Sequence, residues 1–469
     1  MSDDTSFKPS RRRVLQGLGA ALAAPTLWLP TAARAQTAAH GTVRHLLYVH
    51  LGGGFRFTAA FNGDVADGFN PFGPSRARQS GTQWGVSSLL ERSDSWLGGA
   101  TPSEEQQERR RLGMEPVSRF SAEMCVLPCV DHEPFARGAD GNHGTGLERF
   151  LTGSVGGATS VFSYLNYGMR ERVAQAAAQG RVLLPAFSLG EAGMAAGAGR
   201  FAAFRPPVLE GSSLDRFGFD ASASLPAWAS RLVNRVDERM RARVHSTHLP
   251  SVDAYMGTRA ATATYGKIFS DEMLKVGNRS TTAVDGISNR ELELLLGTET
   301  EGRRAALALR LFHFGCPAVF LGQGGYDMHS GEEQSLPGAM ERLNRLVSGL
   351  RAALKRMDHP QGGKYWDHTL VVLGSEFGRT TGSGRFNSAA GSDHSSDLAT
   401  RWMSMPLMGG PVLAWGKGGA RLGETRASDL KATGPVYSYR GLMKTLMDVL
   451  GADHSEAFPS DPLVYDLFT

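Results

Sequence analysis

The run Thr369-Leu370-Val371-Val372-Leu373-Gly374 is apolar almost from end to end, with no alternation of polar and apolar positions. A strand that shows one face to water alternates, whereas a strand covered on both faces does not. His45-Leu46-Leu47-Tyr48-Val49-His50-Leu51, Met124-Cys125-Val126-Leu127-Pro128-Cys129-Val130 and Ala318-Val319-Phe320-Leu321 share this buried-strand character, and Val182 to Ser188 reads as a further strand. Segments of helical period lie between them. Leu336, Met340, Leu343, Val347, Leu350 and Leu354 form one apolar stripe over about five turns. Arg303 to Phe312 and Tyr437 to Leu450 also read as helices, as does Trp228 to Arg243, a charged helix at the periphery. Buried strands alternating with helices predict an α/β fold with a mainly parallel central sheet flanked by helices on both faces.

The amino terminus is a separate unit. Ser10-Arg11-Arg12-Arg13-Val14-Leu15-Gln16 fits a twin-arginine export signal, followed by an apolar stretch from Leu18 to Leu29 and a small-x-small cleavage site at Ala33-Arg34-Ala35. The stretch is too short to remain as a membrane span. Residues 1–35 are therefore expected to be a signal peptide, handled by the twin-arginine translocase, and 36–469 a single periplasmic or secreted domain. Residues 62–118, rich in Gly, Pro, Ser and charge, read as an insertion over the site.

Residues 1–35 hold five basic and two acidic side chains, a net of +3, and the whole chain carries +4. The remainder is thus nearly neutral, and no basic stripe with interleaved aromatics suggests a nucleic-acid partner. Cys125, Cys129 and Cys316 all sit in apolar contexts and read as buried free thiols.

Chemistry-bearing residues gather where strands end. Gly325-Tyr326-Asp327-Met328-His329 and Ser375-Glu376-Phe377-Gly378-Arg379-Thr380 each follow a strand, and Gly391-Ser392-Asp393-His394 lies in a Gly/Ser-rich loop soon after. Open α/β sheets bind ligands beyond the carboxyl ends of their strands. Asp and His together suit zinc, manganese and iron, and in an extended segment Asp327 and His329 point the same way. Glu376 reads equally as a metal ligand or as a partner of Arg379, and Asp393-His394 equally as ligands or as a hydrogen-bonded loop pair. Asn142-His143-Gly144-Thr145 reads as a loop entering a helix, a setting that suits an anion, with Asn142 equally a plain helix cap. His50, His132 and His313 read as core or surface histidines.

The three motifs, in this order and spacing, resemble an exported bacterial family, the domain-of-unknown-function family numbered fifteen-oh-one, of the alkaline phosphatase/sulfatase-like superfamily. That resemblance implies a site of two metals about 4 Å apart that clamps a phosphate or sulfate ester. Carried over residue by residue, Asp327, His329 and His394 would share one ion, and Glu376-Phe377 stands where an adjacent Asp-His pair is usual. Asp393 would complete or orient the shell. Two departures stand out. Arg56 lies near the place of a first-strand Asp, where it would repel a metal but could bind an anionic ester. Asn142-His143 replaces a Ser-His segment, leaving Thr145 as the candidate hydroxyl. The implied activity is hydrolysis of phosphate or sulfate esters, with Arg56, His143 and Arg379 gripping the anion. One or two ions of zinc, manganese, iron or calcium would serve, or none if the site is degenerate. The alternative is a non-catalytic binding or scaffold protein that holds a sulfated or phosphorylated glycan.

Overall fold

The computed structural model describes residues 40–131, 142–179, 181, 183–209, 227–249, 252, 256, 268–379 and 402–468. Ten strands occur among them: β1 His45–Leu51, β2 Met124–Asp131, β3 Phe187–Leu189, β4 Val208–Leu209, β5 Ala283–Val284, β6 Ile287–Ser288, β7 Ala318–Gln323, β8 Thr369–Gly374, β9 Trp402–Met408 and β10 Tyr437–Ser438. Eight form one sheet in the order β10-β2-β9-β8-β1-β7-β3-β4, and β5 pairs with β6 in a small separate hairpin. All neighbours in the large sheet run parallel except those of β9, which is antiparallel to both β2 and β8.

The predicted two-sided burial is present. Leu47, Val49, Leu51, Val319, Leu321, Val371 and Leu373 point into one core, packed by the helices Glu332–Arg356, Thr300–His313 and Asn289–Leu296. Their alternates Leu46, Tyr48, Ala318, Phe320, Leu370 and Val372 point into a second core, packed by Tyr439–Val449, Val161–Gly168 and His143–Thr152. Successive strand residues face opposite sides, so both cores demand apolar residues and the alternation vanishes. The fold class is therefore α/β, with a mostly parallel sheet between helical layers. The helical stripe from Leu336 to Leu354 is buried throughout.

Three local expectations change, and one strand is new. The segment 62–118 is not merely a cover, because Trp84, Val86, Leu89, Leu90, Trp96, Leu112 and Val117 are buried in the first core. Its polar composition hid these anchors. Among the described residues of the predicted strand Val182 to Ser188, Phe187 and Ser188 pair, in the strand Phe187–Leu189; Pro185 has no N–H to give a ladder. Tyr437 and Ser438 pair with β2 before the last helix begins at Tyr439, where the Ser438 hydroxyl caps the Gly441 N–H. Strand β9 had no clear signal, because Pro406 interrupts it; its register with β2 shifts between Leu127 and Val130, beside Pro128.

All three cysteines are free and buried, and burial pushes the Cys125 and Cys129 thiols up to about 12. No helix of the described residues is long and apolar enough to cross a membrane.

Candidate metal centre

Strands β7, β1 and β8 lie side by side and parallel, so the loops leaving their carboxyl ends converge. The loop after β1 is Gly52-Gly53-Gly54. Gly53 has φ +114°, and a Cβ on it would stand 2.5 Å from the Asp327 backbone nitrogen. Glycine there lets the β1 and β7 loops touch. Phe55 forms a parallel bridge with Gly378, which ties the β1 loop to the β8 loop. From above comes the helix His143–Thr152, capped by Asn142, whose Oδ1 accepts from the Thr145 N–H at 3.2 Å. Gly146 lets that helix approach closely, since a Cβ there would lie 2.9 Å from the Phe377 ring.

These elements assemble a layered cluster. Glu376 is 3% exposed and lies at the bottom. Its Oε1 accepts from the Gly53 N–H at 2.8 Å and lies 3.1 Å from His143 Nδ1. Its Oε2 lies 2.8 Å from His50 Nε2 and 2.9 Å from the Ser375 hydroxyl. Burial pushes the carboxyl up, but the hydrogen bond and charge of His50, with the hydrogen bond from His143, outweigh it and hold Glu376 at about 2. Glu376 is thus an ionised acceptor, and His143 must place its proton on Nδ1 to donate to it. In the neutral ring the buried Nε2 lone pair then points toward Asp327, 3.4 Å from its Oδ2. Asp327 Oδ1 in turn lies 3.0 Å from His329 Nε2 and accepts from Arg379 Nη1 at 2.8 Å. Arg379 is buried and also donates to the Gly53 carbonyl.

His143, Asp327 and His329 each offer a ligand atom, and those atoms lie within 4.8 Å of one another. Two imidazoles and a carboxylate, all partly exposed, form a donor set that fits zinc, manganese or iron. A metal-bound imidazole typically donates its other nitrogen to a carboxylate, which fixes the tautomer. The pairing of His143 with Glu376 has that form.

Asp327 and His329 lie together, and His143, expected as an anion-binding residue, stands with them in a group that could hold a metal ion. Three expectations are corrected. Glu376 is an orienting carboxylate with both oxygens engaged below the cluster, and Arg379 pairs with Asp327 instead of Glu376. Arg56 is turned away from any ester: it is 1% exposed, with Nη1 2.6 Å from Glu332 Oε2 and further bonds to the Phe69 and Gly68 carbonyls. Thr145 stands in the first helical turn with its hydroxyl on the Asn142 carbonyl. Asp393 and His394 lie outside the described residues. Sequence reading passed over His50, which stacks on Phe320 and supports Glu376 from beneath. Its place, next to last in a central strand and ahead of three glycines, was the available signal.

The family described as "Protein of unknown function (DUF1501)" matches residues 87–461. The chain belongs to the DUF1501 family. This DUF1501 chain has no match among curated proteins. Among solved structures, it is similar to a protein in the alkaline phosphatase superfamily from Vibrio parahaemolyticus. The identity is 11% and the TM-score 0.31, over 98% of this chain and 81% of that one.

Proposed function

We propose that this DUF1501 protein is an exported, divalent-metal-dependent hydrolase of phosphate or sulfate esters. The observation that carries the reading is the pairing of His143 Nδ1 with the buried, ionised Glu376, which turns His143 Nε2 toward Asp327 and His329. In that reading His143, Asp327 and His329 hold the ion, with Asp393 and His394 as further donors. A bound divalent ion would supply Lewis-acid polarisation of an ester oxygen or of water. Arg379 holds Asp327 Oδ1 and thereby sets which carboxylate oxygen faces His143. Export rests on residues 1–35.

A second reading draws on Asn142. Where the resembled superfamily carries a hydroxyl nucleophile, this chain has an amide that caps a helix, and the Thr145 hydroxyl is engaged by the Asn142 carbonyl. A binding protein that grips a sulfated or phosphorylated glycan without turnover fits that departure.

The deciding experiment is elemental mass spectrometry on protein purified without chelator, beside turnover of aryl phosphate and aryl sulfate esters. The hydrolase reading expects bound metal and turnover, both lost in Asp327→Ala. Full metal stoichiometry in that variant would refute the ligand assignment. Metal-free protein that retains an anionic glycan without hydrolysing it would favour the second reading.

A further inference from the structure

The helix Ala227–Arg243 shows a row of large apolar side chains to solvent. Trp228, Leu232, Val236 and Met240 are 65, 49, 53 and 41% exposed, and they include half of the strongly exposed large apolar side chains among the described residues. Asp237, by contrast, is 5% exposed, and Ser230, Asn234, Asp237 and Arg241 each engage an interaction partner. At 100° per residue the four apolar positions, each four after the last, lie together on one flank. The polar positions 230, 234, 237 and 241 lie on the other.

The sequence of the exposed flank has a period of its own. Each apolar residue is followed three positions later by an arginine: Trp228 by Arg231, Leu232 by Arg235, Val236 by Arg239 and Met240 by Arg243. Residues three apart share a helix face. All four arginines are exposed. The helix carries five Arg against Asp237 and Glu238, a net of +3. With Asp237 turned inward, Glu238 is the only acid on the outer side.

We propose that this flank docks on an anionic phospholipid surface. Apolar side chains would enter the boundary between headgroups and acyl chains, and the arginines would reach lipid phosphates beside them. Charge complementarity selects this occupant: a neutral apolar partner would leave four guanidinium groups desolvated without counter-charge. The helix lies on the membrane and does not span it.

The test uses the full chain with vesicles of phosphatidylglycerol and phosphatidylcholine, or of phosphatidylcholine alone. Hydrogen–deuterium exchange is followed in the peptide covering 227–243, so binding through residues 1–35 is not mistaken for binding through the helix. Added exchange protection in 227–243 is expected with the anionic vesicles and not with phosphatidylcholine. Arg231→Gln, Arg235→Gln, Arg239→Gln and Arg243→Gln together should weaken that protection-linked binding about a hundredfold or more. Trp228→Ser with Leu232→Ser should weaken it about tenfold or more. Because these side chains are exposed, both variants should keep the parent melting temperature. Unchanged exchange in 227–243 while anionic vesicles are bound overturns the proposal. So does a concentration-dependent dimer, abolished by the serine substitutions, that protects the helix without lipid; that outcome assigns the flank to a second copy of the chain.

Discussion

His143 Nδ1 and Glu376 Oε1 lie 3.1 Å apart although 233 residues separate them in sequence. The contact fixes which imidazole nitrogen faces Asp327, so a residue below the cluster decides what the cluster can bind. Gly53, His50 and Ser375 also hold Glu376, through a backbone N–H, a ring nitrogen and a hydroxyl.

Glu376→Gln should therefore weaken metal binding about 10- to 100-fold. The new amide N–H₂ would face donors, the Gly53 N–H and His143 Nδ1–H in the place of Oε1 or the Ser375 hydroxyl in the place of Oε2, and this should cost about 1–3 kcal/mol of stability. Metal titration and urea unfolding measure the two effects. Parent-like metal affinity in a folded variant would show that the Glu376 contact does not orient His143.

Gly53→Ala tests the loop junction. The added methyl would stand 2.5 Å from the Asp327 backbone nitrogen, at a φ that alanine rarely adopts. Strain of about 1–3 kcal/mol is expected, along with displacement of Asp327 and loss of bound metal. Full metal occupancy at unchanged stability would mean that the β1 and β7 loops are not in the contact described.

Arg56 distinguishes structure from chemistry. Burial lowers the pKa of its guanidinium, and the charge of Glu332 and the hydrogen bond to it oppose that shift. Both side chains are 1% exposed, so Arg56→Ala removes the guanidinium from a buried carboxylate and should cost about 3–5 kcal/mol. Metal content per folded molecule should stay that of the parent. A variant of normal stability that fails only in anion binding would return Arg56 to the site.

Acid should destabilise the opposite end of the sheet. His45 Nδ1–H donates to the Cys316 carbonyl at 2.9 Å, His359 Nδ1 accepts from the Gln361 N–H, and the two Nε2 atoms lie 3.2 Å apart. Those partners define a neutral pair in which His359 donates to His45. Burial lowers His45 to about 3, and burial with the charge of His368 lowers His359 to about 4. Unfolded histidines take up protons near 6.5, so the unfolded state binds more protons below that pH. This contribution to stability is therefore complete above about pH 6.5, and it falls as pH drops toward 4 and then 3. Urea midpoints measured from pH 7.5 to 4.5 should decline, and His359→Gln should flatten the decline. Equal slopes in parent and variant would remove the pair as a cause.

Export is tested separately. Replacing Arg11 and Arg12 by Lys should hold the chain in the cytoplasm, as read by cell fractionation. Parent-like release of the variant would exclude a twin-arginine route.

Much of the framework is local and could be read directly. Strands β1 and β8 match their apolar runs residue for residue, because burial on both faces leaves no choice of composition. Asp327 and His329 were legible as a pair, since a spacing of two in extended chain is a local geometric fact. The roles of His143, Glu376, Arg379 and Arg56 were not. Each depends on which distant group meets a side chain that has two or more partners of suitable charge. Sequence determined the α/β framework and that acids and imidazoles would stand beyond its strand ends. Only the tertiary structure decided that Glu376 orients His143, that Arg379 takes Asp327 and that Arg56 is spent on Glu332. Hydrogen bonding and ion pairing act over a few ångströms, and the separations that fulfil them span hundreds of residues.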